Sequence, residues 1–155
     1  ITRSMVRDEV AGKRFLNLFA YTGSFTVYAA DGGAISTTTV DLSNTYLTWA
    51  RQNMRLNGFE GDSNEFVADD AMAFVKNLPA TSVFDVAVID PPTFSNSKRT
   101  QKDWGVIYFS NNYRQFQMDE SALPNAKVHE ISRQTVPEDF RNRRIHRCWR
   151  ITRTS

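Results

Sequence analysis

Apolar positions along the chain fall into short blocks separated by turn-forming residues. Arg14-Phe-Leu-Asn-Leu-Phe19 is an apolar run that predicts a strand, followed by the turn Tyr21-Thr-Gly-Ser24 and a helical stretch from Phe25 to Ala30. Ser36-Thr-Thr-Thr-Val40 is β-branched, as a pleated strand favours, and ends at Asp41. Ser43 is then placed to cap a helix with Leu47, Ala50 and Met54 on one face, stopping near Asn57-Gly58, where a left-handed cap fits. A third unit pairs a strand at Glu65-Phe-Val67 with a turn at Asp69-Asp70 and a helix from Ala71 to Leu78, closed by Pro79. Phe84-Asp-Val-Ala-Val-Ile89 reads as a strand buried on both faces and runs into Asp90-Pro91-Pro92. This alternation predicts an α/β fold with a parallel sheet covered by helices.

Gly105-Val-Ile-Tyr-Phe-Ser110 predicts a fifth strand, yet Thr93 to Trp104 is polar and without apolar periodicity. A parallel neighbour needs a crossover of a dozen or more residues, usually helical. The expectation is therefore that a crossover segment is missing between Trp104 and Gly105. Lys127 to Ser132 and His146 to Thr152 alternate as strands and predict a hairpin at the sheet edge, for a mostly parallel sheet of about seven strands. The opening ITRSMVRDEV has a helical pattern and no initiator Met, so one domain over 1–155, a piece of a longer chain, is expected.

The composition is that of an ordinary globular domain, with 41% hydrophobic and 23% charged residues, and no apolar run approaches the roughly 18 residues of a membrane span. A single cysteine, Cys148, allows no internal disulfide, and no Cys/His cluster suggests a metal, so a reducing, cytoplasmic setting is expected. The net charge of +2 hides an asymmetry. Residues 1–97 hold 7 Lys and Arg against 11 Asp and Glu, a balance of -4, whereas 98–155 hold 12 against 6, a balance of +6. The basic part suits an anionic partner such as RNA, although a solvated Arg-rich surface explains the charge alone almost as well.

Ligands of open parallel sheets bind outside the carboxyl ends of the strands, where strand order reverses. There the sequence places Gly23 in its turn, Asp41 some 18 residues later, Asp69 and Asp70, and then Asp90. Singly, each is an ordinary turn glycine or helix cap. At successive strand ends together, these carboxylates suit ribose hydroxyls and an adenine amine but repel phosphate. The ligand should be nucleoside-like and not strongly anionic. S-adenosylmethionine meets both conditions, whereas a nicotinamide dinucleotide wants a G-x-G-x-x-G turn that is absent. In Asp90-Pro91-Pro92-Thr93-Phe94 the two prolines fix an extended backbone, and Phe94 or Tyr21 is available to stack on a flipped base.

The strings LNLFAYTGSFTVYAA, STTTVDLS, FVADD and DVAVIDPPTFSNSK resemble the Rossmann-like class I S-adenosylmethionine-dependent RNA methyltransferases, most closely the K domain of bifunctional K/L enzymes acting on guanine of 23S ribosomal RNA. The resemblance spans nearly the whole chain and implies methylation of guanine N7 in large-subunit RNA. It implies Tyr21, Thr22, Gly23 and Ser24 around the methionine moiety, Asp41 and Leu42 at the ribose, and Asp69 and Ala71 at the adenine, with Asp70 as alternative to Asp69. Asp90, Pro91 and Pro92 would line the methyl-transfer site, and Arg3 would reach the cofactor carboxylate. The family also has a helix between its fourth and fifth strands and an upstream RNA-recognition region.

Cytosine C5 methylation needs a thiolate to attack C6. Here the positions that carry Cys in related cytosine enzymes read Phe109-Ser110-Asn111-Asn112, and Cys148 is expected to be a buried structural thiol in an edge strand. Nitrogen methylation is favoured, with Asn111 or Asn112 on the purine edge. Phe94, Lys98, Arg99, Arg141, Arg143, Arg144, Arg147 and Arg150 are candidates for RNA contact, and His129 and His146 are read as surface or edge residues. The competing readings are methylation of another RNA base or exocyclic amine, a noncatalytic RNA-binding module of the same fold, and, more distantly, a dehydrogenase.

Overall fold

The computed structural model describes residues 1–92, 104–113, 115–135 and 146–154. Helix α1 (Thr2–Glu9) precedes β1 (Arg14–Leu18), α2 (Ser24–Asp31), β2 (Ser36–Asp41), α3 (Asn44–Leu56), β3 (Asn64–Ala68), α4 (Ala71–Asn77) and β4 (Phe84–Ile89). Strand β5 (Trp104–Asn111), a 3-10 turn at Glu120–Ala122, β6 (Ala126–Glu130), the short helix α5 (Ser132–Thr135) and β7 (Arg147–Arg153) complete the chain. One sheet of 7 strands has the order β3-β2-β1-β4-β5-β7-β6. Strands β1 to β5 run parallel, and β7 lies antiparallel between β5 and β6.

The expected strand-helix units are present, and local chemistry explains their limits. The side chain of Ser43 accepts from the Tyr46 amide at 3.3 Å to start α3, whose buried residues are Leu47, Ala50 and Met54. Beyond α3, Gly58 takes φ 79° and its amide reaches the Arg55 carbonyl at 3.0 Å. Asp70 starts α4 by accepting from the Met72 and Ala73 amides at 3.0 and 2.8 Å.

Alternation along β1 feeds two cores, one on each face of the sheet. Phe15 joins Val6, Val10, Ala29, Val86 and Val88 beneath α1 and α2, whereas Leu16 and Leu18 join Val40, Ala71, Val75 and Ala87 beneath α4. Burying each of these Val, Leu and Phe side chains is worth about 1.5–3 kcal/mol. Within the first face a polar bridge ties three elements together: Asn17 donates to Thr26 Oγ1 at 3.0 Å, and Thr26 and Thr39 share a hydroxyl hydrogen bond of 2.8 Å.

Glu9, at the end of α1, is gripped by the Arg150 guanidinium at 2.5 and 3.2 Å and by the Tyr108 hydroxyl at 2.6 Å. Burial pushes the Glu9 carboxyl up, but the hydrogen bonds from Arg150 and Tyr108 outweigh it and leave it below its ordinary value. Burial, then Glu9 itself, pushes the Tyr108 phenol far up.

The tail departs from expectation in its strand order. Cys148 was expected on an edge strand, but β6 is the edge and β7 an interior strand, because β7 inserts between β5 and β6. Strand β5 runs without a break across Trp104 and Gly105, with Trp104 opposite Phe84. The crossover from β4 therefore lies before Trp104, mostly outside the described residues. No helix among the described residues is long and apolar enough to cross a membrane.

Candidate functional site

The chain runs from β1 outward to β3, then returns to β4 on the other side of β1, so strand order reverses between β1 and β4. The crevice there is floored by the turn after β1. Phe19 and Tyr21 adopt φ 58° and 50°, and Gly23, the residue before α2, adopts φ 69°. A β-carbon on Gly23 would lie 2.6 Å from the Ala50 Cβ, so the turn packs directly on α3. Asn53 of α3 also donates to the Thr22 carbonyl at 2.9 Å. Among the described residues no side chain caps the N-terminus of α2, which leaves its first amides available to an anionic group.

Asp41 is held rigidly at the end of β2. Its Oδ2 accepts from the Tyr21 amide and its Oδ1 from the Ser43 amide, each at 2.9 Å. Each oxygen keeps a lone pair for a further donor. Asp69 lies beside it, with its amide on the Asp41 carbonyl at 3.2 Å. One Asp69 oxygen accepts from the Asp70 amide at 2.8 Å. Of the two alternatives read from sequence, Asp70 has its carboxylate engaged in capping α4, while Asp69 keeps an oxygen for a ligand. Leu42 and Tyr21 are 75% and 55% exposed beside these carboxylates, and Ala71 is buried at the start of α4. Tyr21 continues into an aromatic series, with ring centroids 4.6 Å from Tyr46 and Tyr46 in turn 5.6 Å from Trp49.

At the end of β4, the strand beside β1, Asp90 accepts a hydrogen bond from the Ser110 hydroxyl, next to buried Pro91 and exposed Pro92. Asn111 accepts from the Tyr113 amide at 2.5 Å. Asn112 Oδ1 lies 3.1 Å from His146 Nδ1. His146 is half-buried and senses the Asp90 charge; burial lowers its pKa and Asp90 only partly offsets this. Reading His146 as a surface residue is thus corrected, whereas His129 is exposed on edge strand β6. Sequence reasoning missed His146 and Ser110 because nothing in the chain announces that β7 pairs with β5. That pairing sets Asn111 opposite Arg147 and so brings Asn112 to His146.

Cys148 is fully buried, and burial, then the Asp90 charge, pushes its thiol up to about 12. A thiol that stays protonated at neutral pH is no nucleophile. Arg147 and Arg150, expected to face RNA phosphates, are engaged elsewhere. Arg147 donates to both Glu130 oxygens at 3.1 and 2.8 Å and lies over the Trp149 ring, while Arg150 holds Glu9. Arg3 rests over the Tyr28 ring at 5.6 Å. Phe94, Lys98, Arg99, Arg141, Arg143 and Arg144 lie outside the described residues. Among the described residues no group of His, Cys, Asp and Glu could hold a metal ion.

The sheet order, the glycine turn and the carboxylates after β2 and β3 define a Rossmann-like, nucleoside-binding methyltransferase fold. The profile of the S-adenosylmethionine-dependent methyltransferases matches residues 1–140, and the chain belongs to that family. It is 47% identical over 175 aligned positions, covering 99% of the chain, to ribosomal RNA large subunit methyltransferase K of Neisseria meningitidis, and spans 49% of that protein. To the K/L methyltransferase of Aliivibrio fischeri it is also 47% identical over 98% of its length, but spans only 24% of the relative. A Streptococcus mutans structure, provisionally described as a SAM-dependent methyltransferase, superposes with TM-score 0.80 at 25% identity, covering 97% of this chain and 47% of that one. The Neisseria alignment is longer than the 155-residue chain, so the relative has positions without a counterpart here.

S-adenosylmethionine is the family's cofactor, and the donor set fits it. Two half-buried carboxylates on neighbouring strands suit its ribose and adenine donors, and the uncapped start of α2 suits its carboxylate.

Proposed function

We propose that this chain transfers the methyl group of S-adenosylmethionine to N7 of a guanine in large-subunit ribosomal RNA. What supports this reading is that hydrogen bonds join the Tyr21 amide and the Asp69 amide to Asp41, that Asp90 follows β4, the strand paired with β1, and that no thiolate lies among the described residues. Tyr21, Thr22, Gly23 and Ser24 hold the methionine part of the cofactor, Asp41 and Leu42 the ribose, and Asp69 with Ala71 the adenine. Arg3 is assigned to the cofactor carboxylate, which requires it to leave the Tyr28 ring.

The bound cofactor supplies an electrophilic methyl group on a sulfonium. Guanine N7 offers an in-plane lone pair, so no base has to remove a proton and alignment supplies most of the acceleration. Ser110 fixes one oxygen of Asp90, leaving the other to orient the base or the cofactor amine. Pro91 and Pro92 stiffen the rim, and Asn111 or Asn112 meets the purine edge.

Phe94, Lys98, Arg99, Arg141, Arg143 and Arg144 are assigned to RNA stacking and phosphate contact, and a cytoplasmic location follows from that substrate. The K and K/L names of the relatives support an RNA substrate, and their greater length supports RNA-recognition regions outside this segment. The longer alignment supports the view that the relative carries a segment with no counterpart in this chain. The test is to incubate the full-length protein with unmodified 23S ribosomal RNA and methyl-labelled cofactor and to map the label. Label on guanine N7 is expected; label on cytosine C5, or on an exocyclic amine, overturns the assignment.

A further inference from the structure

Strand order sets out the site along one line. The cofactor turn follows β1, Asp90 follows β4, Asn112 follows β5 and His146 precedes β7, and these strands are consecutive neighbours. Two strand spacings, about 10 Å, separate the β4 and β7 positions. A base that offers its reacting nitrogen to the β1–β4 side therefore turns its opposite edge toward His146.

The chemistry of that histidine is defined by its partner. Asn112 Oδ1 can only accept, so the proton shared with it sits on His146 Nδ1. Burial keeps the ring neutral despite Asp90. Nε2 is then a bare acceptor, and it has no partner among the described residues. Of the RNA bases, guanine alone carries adjacent imino and amino donors, N1–H and the N2 amine, on the edge opposite N7. Uracil offers one donor, N3–H, flanked by two carbonyls, and cytosine and adenine offer one amine each beside a bare ring nitrogen, so only guanine meets an acceptor with two adjacent donors.

We infer that His146, held by Asn112, reads the target base by accepting a hydrogen bond at Nε2 from the N1 or N2 donor of guanine. This rests on the guanine reading above and adds the residue that enforces it. Asn112 acts as a positioning residue that fixes the tautomer.

The test uses the full-length protein with 23S ribosomal RNA and labelled cofactor. His146→Phe removes the acceptor and should lower kcat/KM about 10- to 100-fold, the range of one base-edge contact. His146→Gln retains an acceptor and should recover part of the loss. Affinity for S-adenosylhomocysteine, measured by calorimetry, should stay unchanged in both, which also verifies folding. Wild-type kcat/KM in His146→Phe, no recovery in His146→Gln, or lost cofactor affinity in both overturns the inference.

If the wild-type protein labels no guanine at all, the function reading fails independently. The inference is then decided by nitrogen NMR of histidine-labelled, S-adenosylhomocysteine-bound protein. An Nε2 resonance of acceptor type that moves on adding guanosine, but not uridine, supports it; a protonated Nε2, or no movement, overturns it.

Discussion

Replacing Gly23 by alanine perturbs the crevice at its tightest point, and its cost can be apportioned. At φ 69° any L-residue is disfavoured, by about 1–2 kcal/mol. The new β-carbon would also lie 2.6 Å from the Ala50 Cβ and 3.1 Å from its Cα, and the nearer contact point is helix α3, which cannot swing aside as a long side chain would. Overpacking of this kind adds about 1–3 kcal/mol. Gly58 is the internal control, because it has a similar φ of 79° with nothing within 4 Å of the added carbon. Urea denaturation should therefore show Gly58→Ala destabilised by about 1–2 kcal/mol and Gly23→Ala by about 2–5 kcal/mol. Adding Ala50→Gly to Gly23→Ala should restore part of the difference, and calorimetry should show loss of S-adenosylhomocysteine binding in Gly23→Ala. Equal destabilisation at both glycines, with cofactor affinity retained in Gly23→Ala, would refute the account of the turn.

Three further outcomes follow from the packing. Glu9→Gln should cost about 1–3 kcal/mol, because it weakens a part-buried hydrogen-bonded ion pair to Arg150. The Glu9 carboxyl lies below its ordinary 4.5 when folded, so its stabilisation is complete above that pH and fades as pH falls through the folded value. Urea titrations of wild type and variant should converge in acid; a gap that widens on acidification contradicts this. Cys148, with its thiol near 12, should resist iodoacetamide at pH 8 in the folded protein and react at once in urea, as mass spectrometry would show. Thr26→Val should cost about 1–3 kcal/mol by leaving the Asn17 amide without its buried partner, read from chemical denaturation, whereas no change would mean that the bridge contributes nothing.

Much of the fold is legible in the sequence because the elements up to Ile89 combine a strand pattern with a local stop signal. The β-branched run before Asp41, the Ser43 cap and Gly58 each act within a few residues, so a linear reading finds them. The position of Asp41 and Asp69 is legible for the same reason, since they occupy strand ends whose order follows from parallel topology. The distinction between Asp69 and Asp70 is not, because it depends on which carboxylate takes the α4 amides. Long-range pairings are hidden altogether. Arg147 and Arg150 look like free cations in the sequence, and only the insertion of β7 beside β5 and the packing of α1 set Glu130 and Glu9 against them. The same insertion moves His146 from an apparent edge to the Asp90 side of the crevice.

The central claim is that Asp41 and Asp69 enclose one adenosyl group above the Gly23 turn. Titrating S-adenosylhomocysteine into the wild-type protein and into Asp41→Asn and Asp69→Asn tests it by calorimetry. The account predicts one site per chain, weakened in each variant by about tenfold or more, as expected when a charged hydrogen-bond acceptor is lost. Binding that is indifferent to both substitutions, or absent from the folded wild-type protein, would contradict it.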